Sequence, residues 1–566
     1  MNDIRRTILW VIFGFSMVLL WDKWQVFNGH KATFFPTAVE QTALVKPAAG
    51  AASVSSPVTA APAAGVAQVP VDPAAPAAAK EQVLVTTDLL KLTFDTEGGS
   101  LVRSELLGQV DMADKSNNFV LLDDSKDRYY QAQTGLIAGV GSVGGAALPS
   151  HKTLMTLTPG ERTLAEGAKE LVVRFESPVV GGIKLVKTYS LARGSYVINV
   201  KHEVQNVGTT AVSPQLYLQL VRDGNKPPGE SSFYSTFTGP AVYTDAMKYQ
   251  KVEFKKIEEN KVDIEKTSTT GYVAMVQHYF ASAWLLGDGI QRDLFMRKVD
   301  TNLYAVGMIT PMNDIAPGTS KSVDARMFVG PQLEKLLESL TPGLELVKDY
   351  GWVKILAEPL YWLLDKIHSV LMNWGWSIVA LVLLLKIAFY WLNAKAYSSM
   401  AKMKAISPRI TEMRERLKDK PAEMQQAMMK IYREEKINPM GGCFPIMVQI
   451  PVFMALYWVL LSSVEMRNAP WALWIHDLSS PDPFFILPVL MAMTTMLQTS
   501  LNPAPPDPLQ AKMMWFMPLA FSVMFFFFPA GLVMYWITNN ALSIAQQWII
   551  NTRMGVPPKF HLPSFK

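Results

Sequence analysis

One lysine inside an apolar helix constrains this chain more than any other feature of its sequence. Residues 376–391 read Trp-Ser-Ile-Val-Ala-Leu-Val-Leu-Leu-Leu, then Lys386, then Ile-Ala-Phe-Tyr-Trp. At a rise of about 1.5 Å per residue, ten helical residues place Lys386 roughly 15 Å into a bilayer, near its middle. A lysine at that depth costs about 2.5–3.5 kcal/mol on insertion scales, so we expect it to face protein or water rather than lipid.

No acidic residue is placed to pair with this lysine. The apolar segments between residues 444 and 550 have no Asp or Glu in their interiors, and Asp365 lies about 30 Å away at helical rise. The segments carry neutral polar side chains instead, namely Gln449, Thr494, Thr495, Gln498, Ser522, Thr538, Asn539, Asn540 and Ser543. An intramembrane cation without a carboxylate indicates a hydrated pocket rather than a buried ion pair. The alternative is a lysine that snorkels to the interface near Lys395.

Composition sets the broad class of the protein. The chain has 566 residues and 49% hydrophobic content, unevenly distributed, which indicates several domains of which one lies in a membrane. A net charge of +5 is small for this length and does not by itself indicate a nucleic-acid partner. Cys443 is the only cysteine, so an exported domain must be stabilised by its core alone. The seven histidines form no metal-ligand pattern, and we expect no metal, no cofactor and no enzymatic activity.

The N-terminal part of the chain predicts an anchor followed by a tether. Residues 1–22 are basic and then apolar, which indicates an uncleaved signal-anchor helix with Arg5 and Arg6 in the cytoplasm. A cleaved signal peptide is the alternative. Residues 23–80 are dominated by Ala and Pro and predict a flexible tether, because such a segment cannot bury enough surface to fold.

Residues 81–330 predict an antiparallel β-sandwich large enough to have its own core. Short runs of period-two character are separated by Gly, Pro and Asn, as expected for strands and turns. These runs lie at residues 90–94, 171–175, 183–189, 196–204 and 215–220. Gly98–Gly99 and Gly144–Gly145 are predicted to form turns. The sequence assigns no function to this domain.

The remainder predicts a membrane domain of five helices that follow a linker. Residues 331–375 are expected to hold a helix at 331–340 and an amphipathic helix at 350–373 that lies on the membrane surface. The predicted spans are residues 376–394, 441–463, 484–500, 513–528 and 532–550, joined by an outer loop at 464–483 and an inner loop at 501–512 and followed by a basic tail at 551–566. With the anchor, this makes six spans and places both termini in the cytoplasm. Several spans are shorter than about 20 residues, and short helices thin the bilayer locally.

Residues 395–440 predict a cytoplasmic helical hairpin. They hold eleven Lys or Arg against six Asp or Glu, and an excess of positive charge marks a cytoplasmic loop. Apolar residues recur at three-and-four spacing on both sides of a break at 418–421. Methionine surfaces adapt to varied apolar partners, and the basic face is suited to RNA or acidic protein. The alternative is that the methionines only close the hairpin on itself.

Several motifs carry a family resemblance. They are Tyr397-Ser-Ser-Met-Ala-Lys-Met-Lys, Met413-Arg-Glu-Arg-Leu, Asn438-Pro-Met-Gly-Gly-Cys-Phe-Pro, Gln449-Ile-Pro-Val-Phe-Met-Ala-Leu-Tyr, Ala472-Leu-Trp-Ile-His-Asp-Leu, Phe528-Pro-Ala-Gly-Leu-Val-Met-Tyr and Gln546-Gln547. Across residues 350–550 the chain resembles the YidC/Oxa/Alb membrane insertases, in the form found in the inner membrane of Gram-negative bacteria. The anchor, tether and β domain match this form in layout.

The resemblance implies an insertase and chaperone for nascent membrane proteins, acting alone or with the Sec translocon. It implies a five-helix core around a positively charged groove that opens to the cytoplasm and the lipid and is closed outside. The ribosome and targeting factors are further implied partners, and the β domain is implied to be periplasmic. The cation of the groove, usually arginine, falls on Lys386, and lysine lacks the guanidinium fork that binds a carboxylate through two hydrogen bonds. Trp391 stands where relatives tend to have proline.

The same resemblance, joined to the polar and apolar pattern, assigns three sets of site residues. The polar lining of the groove is Gln449, Thr495, Thr538 and Asn539. An apolar slide is formed by Phe453, Met454, Met524, Phe525 and Tyr535. The hairpin recruits the inserted protein through Met400, Lys402, Met403, Arg414, Arg416, Met424 and Met428. Such a protein lowers the barrier to insertion without covalent chemistry.

Two other classes fit the sequence less well. A channel or secondary transporter would use Lys386 as a substrate or proton site, but proton relays usually need carboxylates and inverted repeats are not visible. A membrane protease is suggested only by the spacing of Ser399 and Lys402, which lie on the basic cytoplasmic helix.

Overall fold

The computed structural model describes residues 80–139, 147–230, 236–417, 420–435, 444–502 and 508–555. These residues belong to two compact units, one of residues 80–349 and one of residues 350–555. The predicted anchor, nearly all of the tether, the Gly144–Gly145 turn and most of the tail lie outside the described residues.

The unit of residues 80–349 consists of two antiparallel sheets. In chain order its strands are β1 (Gln82–Thr86), β2 (Leu90–Asp95), β3 (Ser100–Val110), β4 (Asn118–Val120), β5 (Asp123–Asp124), β6 (Tyr129–Ala138), β7 (Thr156–Leu157), β8 (Glu170–Glu176), β9 (Ile183–Ala192), β10 (Val197–Asn206), β11 (Pro214–Asp223), β12 (Gly239–Thr244), β13 (Lys248–Lys251), β14 (Thr267–Ser268), β15 (Tyr272–Gln277), β16 (Phe280–Leu286), β17 (Arg292–Asp300), β18 (Leu303–Pro311) and β19 (Ser320–Pro331). One sheet has the order β1-β2-β3-β6-β11-β18-β17-β14, with β4 beside β3 and β5 beside β6. The other has the order β13-β12-β15-β16-β19-β10-β9-β8-β7. Two short α-helices, α1 (Phe254–Glu258) and α2 (Glu334–Leu340), and a 3-10 helix at Leu344–Val347 also belong to the unit.

The core of this unit follows from alternating side chains. In β8, Leu171, Val173 and Phe175 are buried while the residues between them are exposed, because successive side chains of a strand point to opposite faces. Phe175 contacts Phe94 of the other sheet, with ring centroids 5.7 Å apart, so the two sheets pack face to face. The predicted all-β sandwich is confirmed, and the predicted turn at Gly98–Gly99 connects β2 to β3.

The unit of residues 350–555 is helical. Its helices are α3 (Lys354–Leu371), α4 (Trp374–Ala388), α5 (Tyr390–Arg416), α6 (Pro421–Glu434), α7 (Phe444–Ser462), α8 (Ile486–Leu501), α9 (Pro508–Met524) and α10 (Ala530–Arg553). Helix α10 is central, because it packs against α4, α5, α7 and α8, while α9 packs against α8. Helix α10 therefore contacts both α4, which carries the lysine, and α5, which follows it.

Helix α3 leaves an apolar face uncovered within its own unit. It buries Ala357, Tyr361 and Leu364, whereas Ile355 is 86% exposed and Trp362 is 61% exposed. Such a face is what we expect of the interfacial helix predicted at residues 350–373.

By length and apolarity, no helix within the described ranges is sufficient to cross a membrane alone. The segments Trp374–Ala388 and Tyr390–Met403 meet this requirement together, as a pair bent by 68°. Gln449–Ser462, Ile486–Leu501 and Lys512–Phe527 are shorter apolar helices. The number of membrane spans therefore stays a prediction.

The bend between α4 and α5 lies at Phe389, inside the segment predicted as one span at residues 376–394. Phe389 has φ −92° and ψ 11° and separates the two helices. Neither proline nor glycine, which usually mark such a kink, stands there. The consequence is that Lys386 falls in the last turn of α4 rather than in the middle of a longer helix.

Candidate functional site

The position of Lys386 at the end of α4 provides part of its counter-charge. At the start of α4, the side chain of Asn373 accepts a hydrogen bond from the backbone N–H of Trp376 at 3.0 Å, which caps one of the free donors there. At the other end, the carbonyl groups of the last turn carry a partial negative charge equivalent to about half an elementary charge. Because Lys386 lies in that turn, the helix end stabilises its ammonium without a carboxylate.

The Lys386 ammonium is held by a neutral hydroxyl. The half-buried side chain donates a hydrogen bond from Nζ to Ser543 Oγ on α10, at 2.7 Å. Ser543 Oγ donates in turn to the backbone carbonyl of Asn539, at 2.7 Å. Within the described ranges, no carboxylate forms an ion pair with Lys386. An ammonium has three N–H donors, so two remain for water or for an incoming group.

A third helix lies close to the same hydroxyl. The side chain of Tyr397, on α5, is near Ser543. Ser543 therefore lies where α4, α5 and α10 meet. Lys395, towards which a snorkelling lysine would extend, lies over the ring of Trp391, with Nζ 3.7 Å from the ring centroid.

The buried side of α10 is mostly polar in the C-terminal half of the helix, from Asn540 onward. The polar residues that it buries are Asn540, Ser543, Gln546, Gln547 and Asn551. Asn540 Nδ2 donates to Thr495 Oγ1 on α8 at 2.9 Å, and Gln547 Nε2 donates to Asn502 Oδ1 at 3.2 Å. Sequence reasoning noted Asn540 and Ser543 as neutral polar groups but gave them no role. The five buried polar residues of α10 are separated by three, four and seven positions within an apolar segment. This spacing is the sequence signal that they share one helix face.

The four residues predicted to line the groove occupy two places. Thr495 and Asn539 belong to the contacts along α10, since Thr495 accepts from Asn540 and Asn539 supplies the carbonyl beneath Ser543. Thr538 lies next to them and is half-buried. Gln449, on α7, donates instead to the hydroxyl of Tyr535, at 3.4 Å.

The predicted slide includes an aromatic cluster between α7, the end of α9 and α10. Phe453 stacks with Tyr535 at a centroid distance of 5.9 Å and meets Trp536 edge to face at 4.7 Å. Phe525 lies 5.3 Å from Trp536. The exposures of the five predicted residues differ: Phe453 and Met454 are half-buried, Met524 is 37% exposed, and Phe525 and Tyr535 are 3% and 2% exposed. Met524 is thus the most accessible of the five, and two of the aromatic rings lie inside the helix packing.

Helices α5 and α6 cover most of the residues predicted to form a cytoplasmic hairpin, and a small set of contacts joins them. Ile410 and Ile431 are buried, and Arg409 pairs with Glu435 at 2.8 Å and with Glu434 at 3.2 Å. Of the residues predicted for recruitment, Met400, Met403, Met424, Met428 and Arg414 are half-buried, and Lys402 and Arg416 are exposed. The methionines are therefore partly accessible to a partner.

Two family models together match nearly all of residues 82–556. The family model described as the YidC periplasmic domain matches residues 82–363, and the model described as 60Kd inner membrane protein matches residues 366–556. These two matches cover the β-sandwich and the helical unit respectively.

Individual relatives are similar along their full length. The membrane protein insertase YidC of Cupriavidus necator is 54% identical over 557 residues, covering 98% of each chain. Those of Ralstonia nicotianae and Burkholderia multivorans are 53% and 52% identical, each over 98% of this chain and 99% of theirs. Among solved structures, a crystal structure of an active YidC insertase is 19% identical, covering 83% of this chain and 92% of that chain at a TM-score of 0.38. The chain belongs to the YidC family of membrane protein insertases, which are bacterial inner-membrane proteins with a periplasmic domain and are not enzymes.

Proposed function

We propose that this chain inserts nascent membrane proteins through a hydrated groove whose working charge is Lys386. The observation that carries the proposal is the environment of the ammonium. It is half-buried, it donates to the neutral hydroxyl of Ser543, and the described residues place no carboxylate against it. A cation held in this way keeps its attraction for the acidic residues of a client, by which we mean the nascent chain being inserted.

The cost of placing a client carboxylate in the membrane and its attraction to Lys386 are of comparable size. A carboxylate at the bilayer centre costs about 2.5–3.5 kcal/mol on insertion scales. Two opposite charges 4 Å apart attract by about 4 kcal/mol at an effective dielectric constant of 20. The attraction of Lys386 for a passing Asp or Glu therefore offsets most of the penalty that the acid meets in hydrocarbon.

The polar face of α10 is proposed to keep this groove hydrated, and the slide is proposed to receive the apolar part of the client. Thr495, Thr538, Asn539 and Gln449 offer hydroxyl and amide groups to water, which lowers the cost of bringing a polar segment into the membrane. Met524, the most accessible slide residue, is suited to apolar segments of varied shape because methionine is flexible.

The topology and the partners complete the proposal. We propose six membrane spans with both termini in the cytoplasm, α3 lying on the outer membrane surface, and α5 and α6 forming a cytoplasmic hairpin that recruits clients. The exposed Lys402 and Arg416 and the half-buried methionines of that hairpin support this role. The Sec translocon, the ribosome and targeting factors are proposed partners, and the chain also acts without the translocon on short clients.

The test is complementation of cells depleted of their own insertase with Lys386→Arg, Lys386→Ala and Lys386→Glu. The readout is insertion of a short client that does not need the Sec translocon and that carries an acidic translocated tail. We expect Arg to support insertion and Ala and Glu to fail, since Arg keeps the positive charge whereas Ala and Glu remove it. Full insertion with all three variants would contradict the proposal and would leave Lys386 as a snorkelling residue.

A further inference from the structure

We propose that Ser543 is a positioning residue that fixes the Lys386 ammonium at one place in the groove. The inference rests on the proposed function, because it assigns Ser543 a role only through the cation. The two residues are 157 positions apart in the sequence and meet through one hydrogen bond of 2.7 Å.

The geometry determines which hydrogen bond the Ser543 hydroxyl donates and which one it accepts. A serine hydroxyl has one hydrogen and two lone pairs. Its hydrogen is committed to the carbonyl of Asn539, one helical turn earlier, at 2.7 Å, which is the usual partner of a serine inside a helix. The oxygen is therefore left as an acceptor, and the group that it accepts from is the ammonium of Lys386.

The position of that oxygen is fixed by its surroundings. Ser543 is 2% exposed, its backbone belongs to the central helix α10, and the side chain of Tyr397 on α5 lies close to it. Lysine, by contrast, has a flexible four-carbon stem that does not by itself hold the charge in one place. The hydrogen bond to the rigidly placed Ser543 oxygen therefore restricts the otherwise flexible lysine side chain.

Loss of this oxygen is expected to disorder the ammonium without removing its charge. Hydrogen bonds that involve a charged group are among the stronger ones in proteins, so we expect Ser543→Val to lower the rate of client insertion by roughly ten- to a hundredfold. Ser543→Thr keeps a hydroxyl and is expected to keep a rate close to that of the wild type, because threonine also bonds to the carbonyl one turn earlier. Valine and threonine have the same shape, so their difference reports the hydroxyl alone.

A double-substitution cycle separates positioning from helix packing. If Ser543 acts through the cation, Ser543→Val adds no defect once Lys386→Ala has removed the ammonium. If Ser543 only stabilises the packing of α10, the fold reduction of the insertion rate in the pair equals the product of the two single reductions. Ser462→Ala is the matched control, since Ser462 is also a buried helix serine that donates to the carbonyl one turn earlier, Trp458, at 2.7 Å.

The experiment measures initial insertion rates of a client with an acidic tail into proteoliposomes that contain the full-length chain. The variants are Ser543→Val, Ser543→Thr, Lys386→Ala, the Lys386→Ala/Ser543→Val pair and Ser462→Ala, and the thermal unfolding of each purified protein is recorded. The proposal expects a defect in Ser543→Val, rescue in Ser543→Thr, and equal rates for Lys386→Ala and the pair.

Two outcomes overturn the proposal in distinguishable ways. If Lys386→Ala impairs insertion while Ser543→Val inserts like the wild type, or if the defects of the pair multiply, Ser543 does not position the cation and the proposed function stands. If Lys386→Ala inserts like the wild type, the proposed function fails and the positioning role fails with it.

Discussion

Replacing Lys187 with methionine is expected to remove most of the pH dependence of the β-sandwich stability between pH 7 and pH 9. Lys187 lies on β9 and is fully buried. Its ammonium donates to the backbone carbonyls of Gly98 at 2.6 Å and Thr134 at 2.8 Å. Burial lowers the pKa of Lys187 from 10.5 to about 7.

The sign and size of the effect follow from linkage. The folded chain releases this proton near pH 7, whereas the unfolded chain keeps it until about pH 10.5. Because the unfolded state then binds more protons, the free energy of unfolding rises with pH, by at most about 1.4 kcal/mol per pH unit. Integrated from pH 7 to pH 9, the gain is about 2 kcal/mol. It disappears below pH 7, where both states become protonated.

The assay is urea unfolding of residues 80–349, which form a compact unit with their own core. Trp284 is the only tryptophan in this range and is 2% exposed, so its fluorescence reports the unfolding of this unit. Lys184→Met is the matched control, because Lys184 lies on the same strand but pairs with Glu176 at the surface, at 2.7 Å. A wild-type stability that stays flat from pH 7 to pH 9, or a rise that persists in Lys187→Met, would show that Lys187 does not release its proton on folding in this range.

Two further predictions concern other buried positions. A Cβ on Gly375 would lie 2.3 Å from Cδ1 of Trp471. We therefore expect Gly375→Ala to destabilise the helical unit by about 1–3 kcal/mol and to lower its melting temperature in detergent. In the control Gly160→Ala the added Cβ meets no atom within 4 Å, and the melting temperature should stay unchanged. Burial and the nearby Lys187 lower the pKa of His202 from 6.5 to about 3, so the stability of the β-sandwich should be lost as pH falls from about 6.5 towards 3. His202→Gln should flatten the urea midpoint over that range, and an unchanged slope would contradict the assignment.

The β-sandwich was predictable where one face of a strand is buried. The period-two runs at residues 171–175 and 183–189 correspond to β8 and β9, because alternation records burial on one side only. Strands β15 and β16 are buried at every residue, so they carry no alternation that identifies a strand. The sheet order was not predictable either, since β10 pairs with the distant β19, Val197 opposite Phe328.

The candidate site was predictable only in part, for a similar physical reason. Lys386 stands out because a charge inside an apolar run is costly wherever that run is placed. Its partner Ser543 is 157 residues away, and nothing local links the two. The break at Phe389 has no proline or glycine to mark it, so the place of Lys386 in the last turn of α4 became visible only in the structure.

The charge of Lys386 is proposed to favour clients with acidic tails. The ratio of the insertion rates of an acidic-tailed and a neutral-tailed client tests this directly. Proteoliposomes containing the wild-type chain, Lys386→Arg or Lys386→Ala would be given two otherwise identical clients, one with an acidic and one with a neutral tail. We expect the same preference for the acidic tail, relative to the neutral one, in the wild type and in Lys386→Arg, and a much smaller preference in Lys386→Ala. An equal ratio for all three proteins would contradict this proposal, because selection of the acidic tail would then owe nothing to the charge at this position.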